Sequence, residues 1–243
     1  MEGSLVVSTS REPARISGMF DRIAHRYDRL NRILSAGLDQ RWRARAIREL
    51  ALTGREDVLD MCTGTADLAI MAVTTRAGQA RDVTGVDFSG EMLRLGLGKV
   101  RTAGLESRVH LVRGDATQVP TPDARFDAAM VAFGIRNVSE PERAIQEFAR
   151  VLRPGGQLAV LEFGFPKIPG IRAAYRWYFK YLLPVVGRMF SKHNEAYSYL
   201  PASVETFPTP EAFAEMLKRH GFATVRTVPL TFGIVYLYVA RRH

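Results

Sequence analysis

Residues 58–69 read VLDMCTGTADLA, and the fold turns on this stretch. An apolar strand runs to Asp60, small residues follow at Thr63, Gly64, Thr65 and Ala66, and helical character begins near Asp67. With no large side chain in the turn, a ligand's polar groups can approach the backbone and the start of the next helix. As a glycine motif the turn is spare: only Gly64 remains, with Cys62, Thr63 and Ala66 where a dinucleotide fingerprint wants glycine. On its own the stretch also fits an ordinary tight strand-to-helix turn.

The segments downstream narrow the choice. VTGVDFS ends its strand at Asp87, 23 residues beyond Gly64, where a carboxylate can accept hydrogen bonds from both hydroxyls of a ribose. GDATQVP places Asp115 and Ala116 at a third strand tip, suited to an adenine edge. Three polar contacts at strand ends define one nucleoside-shaped crevice. Phosphate ligation is less well supported, because the loop has no Lys and its surroundings are acidic. A nucleoside cofactor without phosphate, carrying a positive centre, suits this region better than NAD. Short apolar runs at 57–61, 83–87, 108–115, 126–133 and 157–163 alternate with helix-length segments, which predicts an α/β fold with a parallel, doubly wound sheet.

The flanks read differently. Ile16, Phe20, Ile23, Tyr27, Leu30 and Leu34 recur at steps of three and four, predicting an amphipathic helix that Gly37 ends. A second helix carries Trp42, Ile47 and Leu50. Residues 164–207 hold Pro166, Pro169, Pro184 and Pro201, with Pro208 just beyond, and many aromatics, and read as an inserted cap rather than core. Thr209, Pro210, Glu211 and Gly221 mark the start and stop of a helix. ATVRTVPL (223–230) and GIVYLYVA (233–240) are expected to form an antiparallel hairpin at the sheet edge. The whole chain, 1–243, is read as a single domain with an N-terminal helical arm at 16–50 and the cap at 164–207.

Composition sets outer bounds. The 243 residues carry a formal charge of +9, divided as +6 over 11–55, −3 over 56–162, +6 over 163–194, −4 over 195–217 and +5 over 218–243, with −1 before residue 11. Such a balance is compatible with nucleic acid, an anionic membrane surface or simple solubility. No run reaches 18 apolar residues and no cleavable signal layout opens the chain, so a cytoplasmic setting is expected, with membrane contact left open. The lone Cys62 fits a reducing compartment. The five histidines show no metal-ligand spacing, and no metal is expected.

FDAAMVAFGIRNV and RVLRPGGQLAVLEF (150–163) complete a pattern that resembles the class I S-adenosylmethionine-dependent methyltransferases. With YDRLNRILSAGLDQRW (27–42), CTGTAD (62–67), FGIRNV (133–138) and AYSYLPASVETFP (196–208), the chain is more narrowly similar to the ubiquinone/menaquinone biosynthesis C-methyltransferase family, from about Phe20 onward. The loop looks more like that of the menaquinone-type members. The resemblance implies a Rossmann-like, mostly parallel sheet of seven strands and C-methylation of a demethylmenaquinol to menaquinol. Methylation of a ubiquinone precursor is the alternative, with an RNA or small-molecule methyltransferase and a non-catalytic scaffold behind it. Against nucleic acid, the chain lacks the Asn- or Asp-Pro-Pro-aromatic signature of amino-group methylation.

Carried over, the resemblance implies S-adenosylmethionine contacts at Thr65, Asp87, Asp115 and Ala116, with Gly64 and Asp60 beside them. Arg136 and Asn137, from FGIRNV, are the expected catalytic residues. Arg136 stays protonated and would stabilise a phenolate or organise a basic water, while Asn137 would orient the hydroxyl. The competing reading of Arg136 is a surface salt bridge. Tyr27, Asp28 and Asn31 are expected either to close over cofactor and substrate or to pack and cap. Cys62 is read as small-residue packing, and His193 as an exposed loop histidine rather than a base. The family signature usually has His where this chain has Asp39. Arg172, Arg176 and Lys180 recur at four-residue steps among Tyr175, Trp177, Tyr178, Phe179, Leu182 and Leu183. That pattern suits either an interfacial helix meeting anionic lipid and a prenyl tail, or a helix packed on the sheet. Oligomeric state is not legible.

Overall fold

The structure is a computed structural model that describes residues 13–75, 79–178, 181 and 195–243. Helices α1 (Pro13–Leu34) and α2 (Leu38–Glu49) open the chain, separated by Gly37, whose φ of 77° is left-handed as the stop signal requires. The alternation follows as β1 (Asp57–Met61), α3 (Asp67–Thr74), β2 (Asp82–Asp87), α4 (Gly90–Thr102), β3 (Val109–Arg113), β4 (Phe126–Ala132), α5 (Pro141–Val151) and β5 (Leu152–Phe163). Helices α6 (Pro169–Trp177), α7 (Glu195–Glu205) and α8 (Pro210–Arg219) precede β6 (Phe222–Leu230) and β7 (Val235–Arg242).

Seven strands form one sheet in the order β3-β2-β1-β4-β5-β7-β6. The first five are parallel, and β7 runs antiparallel between β5 and β6. The expected hairpin is therefore present, with β6 as the sheet edge. Strand order reverses between β1 and β4, and at such a reversal the two flanking loops part, leaving a crevice beyond the carboxyl ends of the strands.

Alternate residues along each strand feed two cores, one on each face. Leu59, Met61, Ala129 and Val131 join Ile145 and Phe148 of α5 and Phe213 and Leu217 of α8. Val58, Ala128 and Met130 join Trp42 and Ile47 of α2 and Leu68, Ala72 and Val73 of α3. Between Leu152 and Gln157 the β4–β5 ladder loses register, so the Pro-Gly-Gly segment bulges as its composition predicts. A Cβ on Gly156 would sit 2.8 Å from the Arg153 carbonyl. Thr209 caps α8 by accepting from the Ala212 N–H at 3.3 Å.

The segment read as a cap is more than a cover. Tyr199, Ser203 and Val204 of α7 are buried, and Phe207 belongs to the main core. Tyr175 and Tyr199 fill interior space, while Trp177 and Tyr181 stay exposed. Phe179, Lys180, Leu182, Leu183 and His193 lie outside the described residues. Among the described residues, no helix is long and apolar enough to cross a membrane.

Candidate active site

The loop after β1 is drawn tight against the loop after β4. Cys62, Ala66 and Phe133 adopt left-handed φ angles of 55°, 65° and 61°, a conformation that costs non-glycine residues about 1–3 kcal/mol each. Gly134 is required by this closeness, since a Cβ there would lie 2.3 Å from Cys62 Cβ. Burial pushes the Cys62 thiol well up, which suits packing and not a nucleophile.

Around this turn the expected residues converge. Asp87 is buried and accepts from the N–H groups of Gly64 and Ser89, both at 2.9 Å. Burial raises its carboxyl above the ordinary range, and those N–H bonds pull it back. Asp115 accepts from the backbone N–H and hydroxyl of Thr117, each at 2.8 Å, and buried Ala116 lies beside it on the crevice wall. Thr65 donates its hydroxyl to Asp28 at 2.6 Å.

Lys99 of α4, which sequence reading did not single out, reaches Thr65 Oγ1 at 2.8 Å, Asp67 at 2.5 Å and Asp28 at 2.6 Å. The turn thus does have a lysine, supplied from another helix and neutralised by two carboxylates. Asp60 is not brought to the crevice wall. It lies beneath the turn, 1% exposed, accepting from Thr63 Oγ1 at 2.6 Å, and burial raises its carboxyl to about 7.

Helix α1 forms the outer wall. Its Asp21 accepts from the Ser89 hydroxyl at 2.5 Å and its Asp28 binds Thr65 and Lys99, so two polar ties hold it over the crevice. Tyr27 and Asp28 face the crevice, whereas Asn31 faces a second cavity behind it. Burial raises the Tyr27 hydroxyl's pKa, opposed by Arg136, a hydrogen bond with Asn31, and Arg43.

That second cavity has a volume of about 420 Å³ and is lined by aliphatic and aromatic side chains such as Ile23, Leu30, Leu34, Trp42 and Phe163. Phe20, Tyr27, Arg43 and Phe133 line both spaces and make the partition between them. Arg136 sits in the chamber's floor and is 5% exposed, so it is no surface salt bridge. Its Nη1 donates to Glu162 Oε1 at 2.9 Å and to the Phe133 carbonyl, and its Nε to Ser203 Oγ at 3.3 Å. Glu162 is fully buried; burial raises its carboxyl while Arg136 opposes the rise. Asn137 stands on the crevice wall with Nδ2 3.4 Å from the Phe133 carbonyl, and its buried Oδ1 has no hydrogen-bond partner among the described residues. No group of metal-ligating residues occurs among the described residues.

A reversed-order parallel sheet with an antiparallel β7 and a carboxylate-ringed crevice at its strand ends defines a class I, Rossmann-like methyltransferase fold. Solved structures share it. The [4+2]-cyclase SpnF superposes with a TM-score of 0.70 at 20% identity, covering 97% of both chains. A Thermotoga maritima protein described as a SAM-dependent methyltransferase, possible histamine N-methyltransferase, superposes at 0.64 with 18% identity over 94% of this chain and 100% of that one. A cyclase and a methyltransferase on one scaffold show that this likeness speaks of fold alone.

Sequence is more specific: residues 8–242 match the ubiE/COQ5 methyltransferase family, and the chain belongs to it. The ubiquinone/menaquinone biosynthesis C-methyltransferase UbiE of Syntrophotalea carbinolica is 48% identical over 90% of this chain and 91% of its own length. The demethylmenaquinone methyltransferase of Thermus thermophilus is 46% identical over 92% of this chain and 100% of its own.

Proposed function

We propose that this protein methylates a ring carbon of a prenylated quinol, converting a demethylmenaquinol to menaquinol with S-adenosylmethionine as donor. The observation that carries the reading is the partition: a crevice with acidic walls adjoins an apolar chamber across Phe20, Tyr27, Arg43 and Phe133, which line both. The donor set fits the cofactor. Asp87 suits ribose hydroxyls, Asp115 and Ala116 suit an adenine edge, and Gly64 and Thr65 lie where an amino-acid tail would run. The crevice lysine is already neutralised, so a sulfonium meets no unopposed cation from Lys99. When bound, the cofactor supplies an electrophilic methyl group.

The chain's own residues do the rest by alignment and by exclusion of water. Arg136, with its donors turned to Glu162, Phe133 and Ser203, is assigned to organise a basic water at the chamber floor. Asn137 Oδ1, buried and unpartnered, is assigned to orient the ring hydroxyl. Tyr27, Asp28 and Asn31 close α1 over both cavities. The prenyl tail calls for contact with a lipid surface, here the inner face of a membrane. Helix α6 supports that with exposed Arg172 and Arg176 beside Trp177, which is 58% exposed, and Ile168 and Tyr181 exposed nearby.

Methyl-labelled cofactor offered with a demethylmenaquinol, a prenylated methoxybenzoquinol and RNA tests the function. Label in the naphthoquinol is expected. The name of the Syntrophotalea relative, which covers ubiquinone as well as menaquinone biosynthesis, favours a second reading, in which the benzoquinol is also methylated. No label in either quinol would overturn both. Sedimentation with anionic vesicles tests the membrane assignment, and an unchanged pellet after replacing Trp177, Arg172 and Arg176 together would count against it.

A further inference from the structure

We propose that Arg43 receives the substrate's ring oxygen as a phenolate, at the boundary between crevice and chamber. The assignment rests on the quinol-methylating function just proposed. Arg43 is 8% exposed, lines both cavities, and its buried Nε has no hydrogen-bond partner. The nearest carboxylate, Asp39, is 3.9 Å from Nε and already accepts from Ser35 at 3.0 Å and Gln40 at 3.1 Å. The Phe133 ring also lies against it, with its centroid 5.5 Å from Cζ.

A guanidinium carries five donors, and burying one with its charge so weakly answered is unfavourable. Arg136 shows the alternative, with its charge met by a fully buried carboxylate. Arg43 therefore presents, among the described residues, a preorganised buried cation facing the space where a ring and a cofactor would meet. The charged and titratable groups around it are Asp39 on its own helix, Tyr27 from α1 and Asp60 from β1, with Arg136 also acting on Tyr27. Asp60 is held beneath the turn with a carboxyl at about 7, so it is only a partial counter-charge near neutrality.

The chemistry asks for such a cation. A quinol hydroxyl loses its proton to water and its oxygen keeps the electron pair, which raises electron density at the ring carbon. Parallel N–H donors at the oxyanion favour that ionisation and hold the ring in register.

The test uses 4-nitro-1-naphthol, a phenol whose ionisation is visible by absorbance, titrated on the full-length protein with saturating S-adenosylhomocysteine. The wild type should lower the bound phenol's pKa by about one unit or more, tenfold in acidity, relative to free solution. Arg43→Gln should bind the phenol without that shift, and Arg43→Lys should restore part of it, which guards against a variant that merely folds poorly. Equal bound pKa values in wild type and Arg43→Gln would overturn the proposal. So would a tenfold loss of S-adenosylhomocysteine affinity in Arg43→Gln, which would assign the cation to the cofactor's carboxylate. Methyl transfer to the quinol by the wild type is read separately, so failure of the function and failure of the Arg43 role are distinguishable.

Discussion

Crevice and chamber share a wall yet are built in opposite ways. In the crevice nearly every polar group is already held: Asp87 by two backbone N–H groups, Asp115 by Thr117, Thr65 by Asp28 and Lys99. The chamber is largely apolar space with Arg136 and Arg43 at its margin, the first paired with Glu162 at 2.9 Å and the second only loosely answered by Asp39 at 3.9 Å. The first kind of site selects by shape and hydrogen-bond geometry fixed in advance, the second by volume and charge.

Four substitutions probe that contrast. Glu162→Ala leaves Arg136 as an uncompensated buried charge and should cost about 3–5 kcal/mol in urea unfolding. A loss under 1 kcal/mol would mean the floor of the chamber is wetter than its burial implies. Asp87→Ala should weaken S-adenosylhomocysteine binding by calorimetry roughly 100-fold, for loss of charge-assisted hydrogen bonds worth about 2–3 kcal/mol, while leaving nitronaphthol binding in place. Loss of both would erase the separation of the two regions.

Asp60→Asn is a matter of pH. In the folded protein Asp60 titrates near 7 against an ordinary 3.8, so between those values the native state holds a proton the unfolded chain has released. Its contribution to stability therefore falls as pH rises through that window and levels off above it. The Asn variant should gain on the wild type between pH 5 and 7 by about 1–3 kcal/mol, and a pH-independent difference would place the carboxylate in contact with water. Thr65→Val, the mildest change, removes the hydroxyl that ties the turn to α1 and should cost about 1 kcal/mol in thermal unfolding.

The strand–helix alternation, the terminal hairpin and the Thr209 cap were legible because each rests on local periodicity or on one residue's backbone preference. The placement of Asp87, Asp115 and Thr65 on one crevice wall was legible for a related reason: strand tips and the turns that follow them in a parallel sheet gather at one edge. Lys99 was not, since on α4 it has the spacing of any solvated lysine, and only the fold folds it back across to Asp67 and Asp28. Arg43 was hidden among the arginines of QRWRARAIRE, where a buried cation looks like its exposed neighbours. Glu162 did leave a trace. A carboxylate inside QLAVLEF, on a strand covered on both faces, has to find a buried partner, and the structure supplies Arg136.

Helix α1 is fastened to the sheet at both ends of the crevice, by Asp21 to Ser89 and by Asp28 to Thr65 and Lys99, while its inner face also walls the chamber. One stiff element thereby belongs to two binding equilibria. A substitution that loosens α1 is therefore expected to weaken both at once, whereas one confined to the far wall of either cavity should touch only its own ligand.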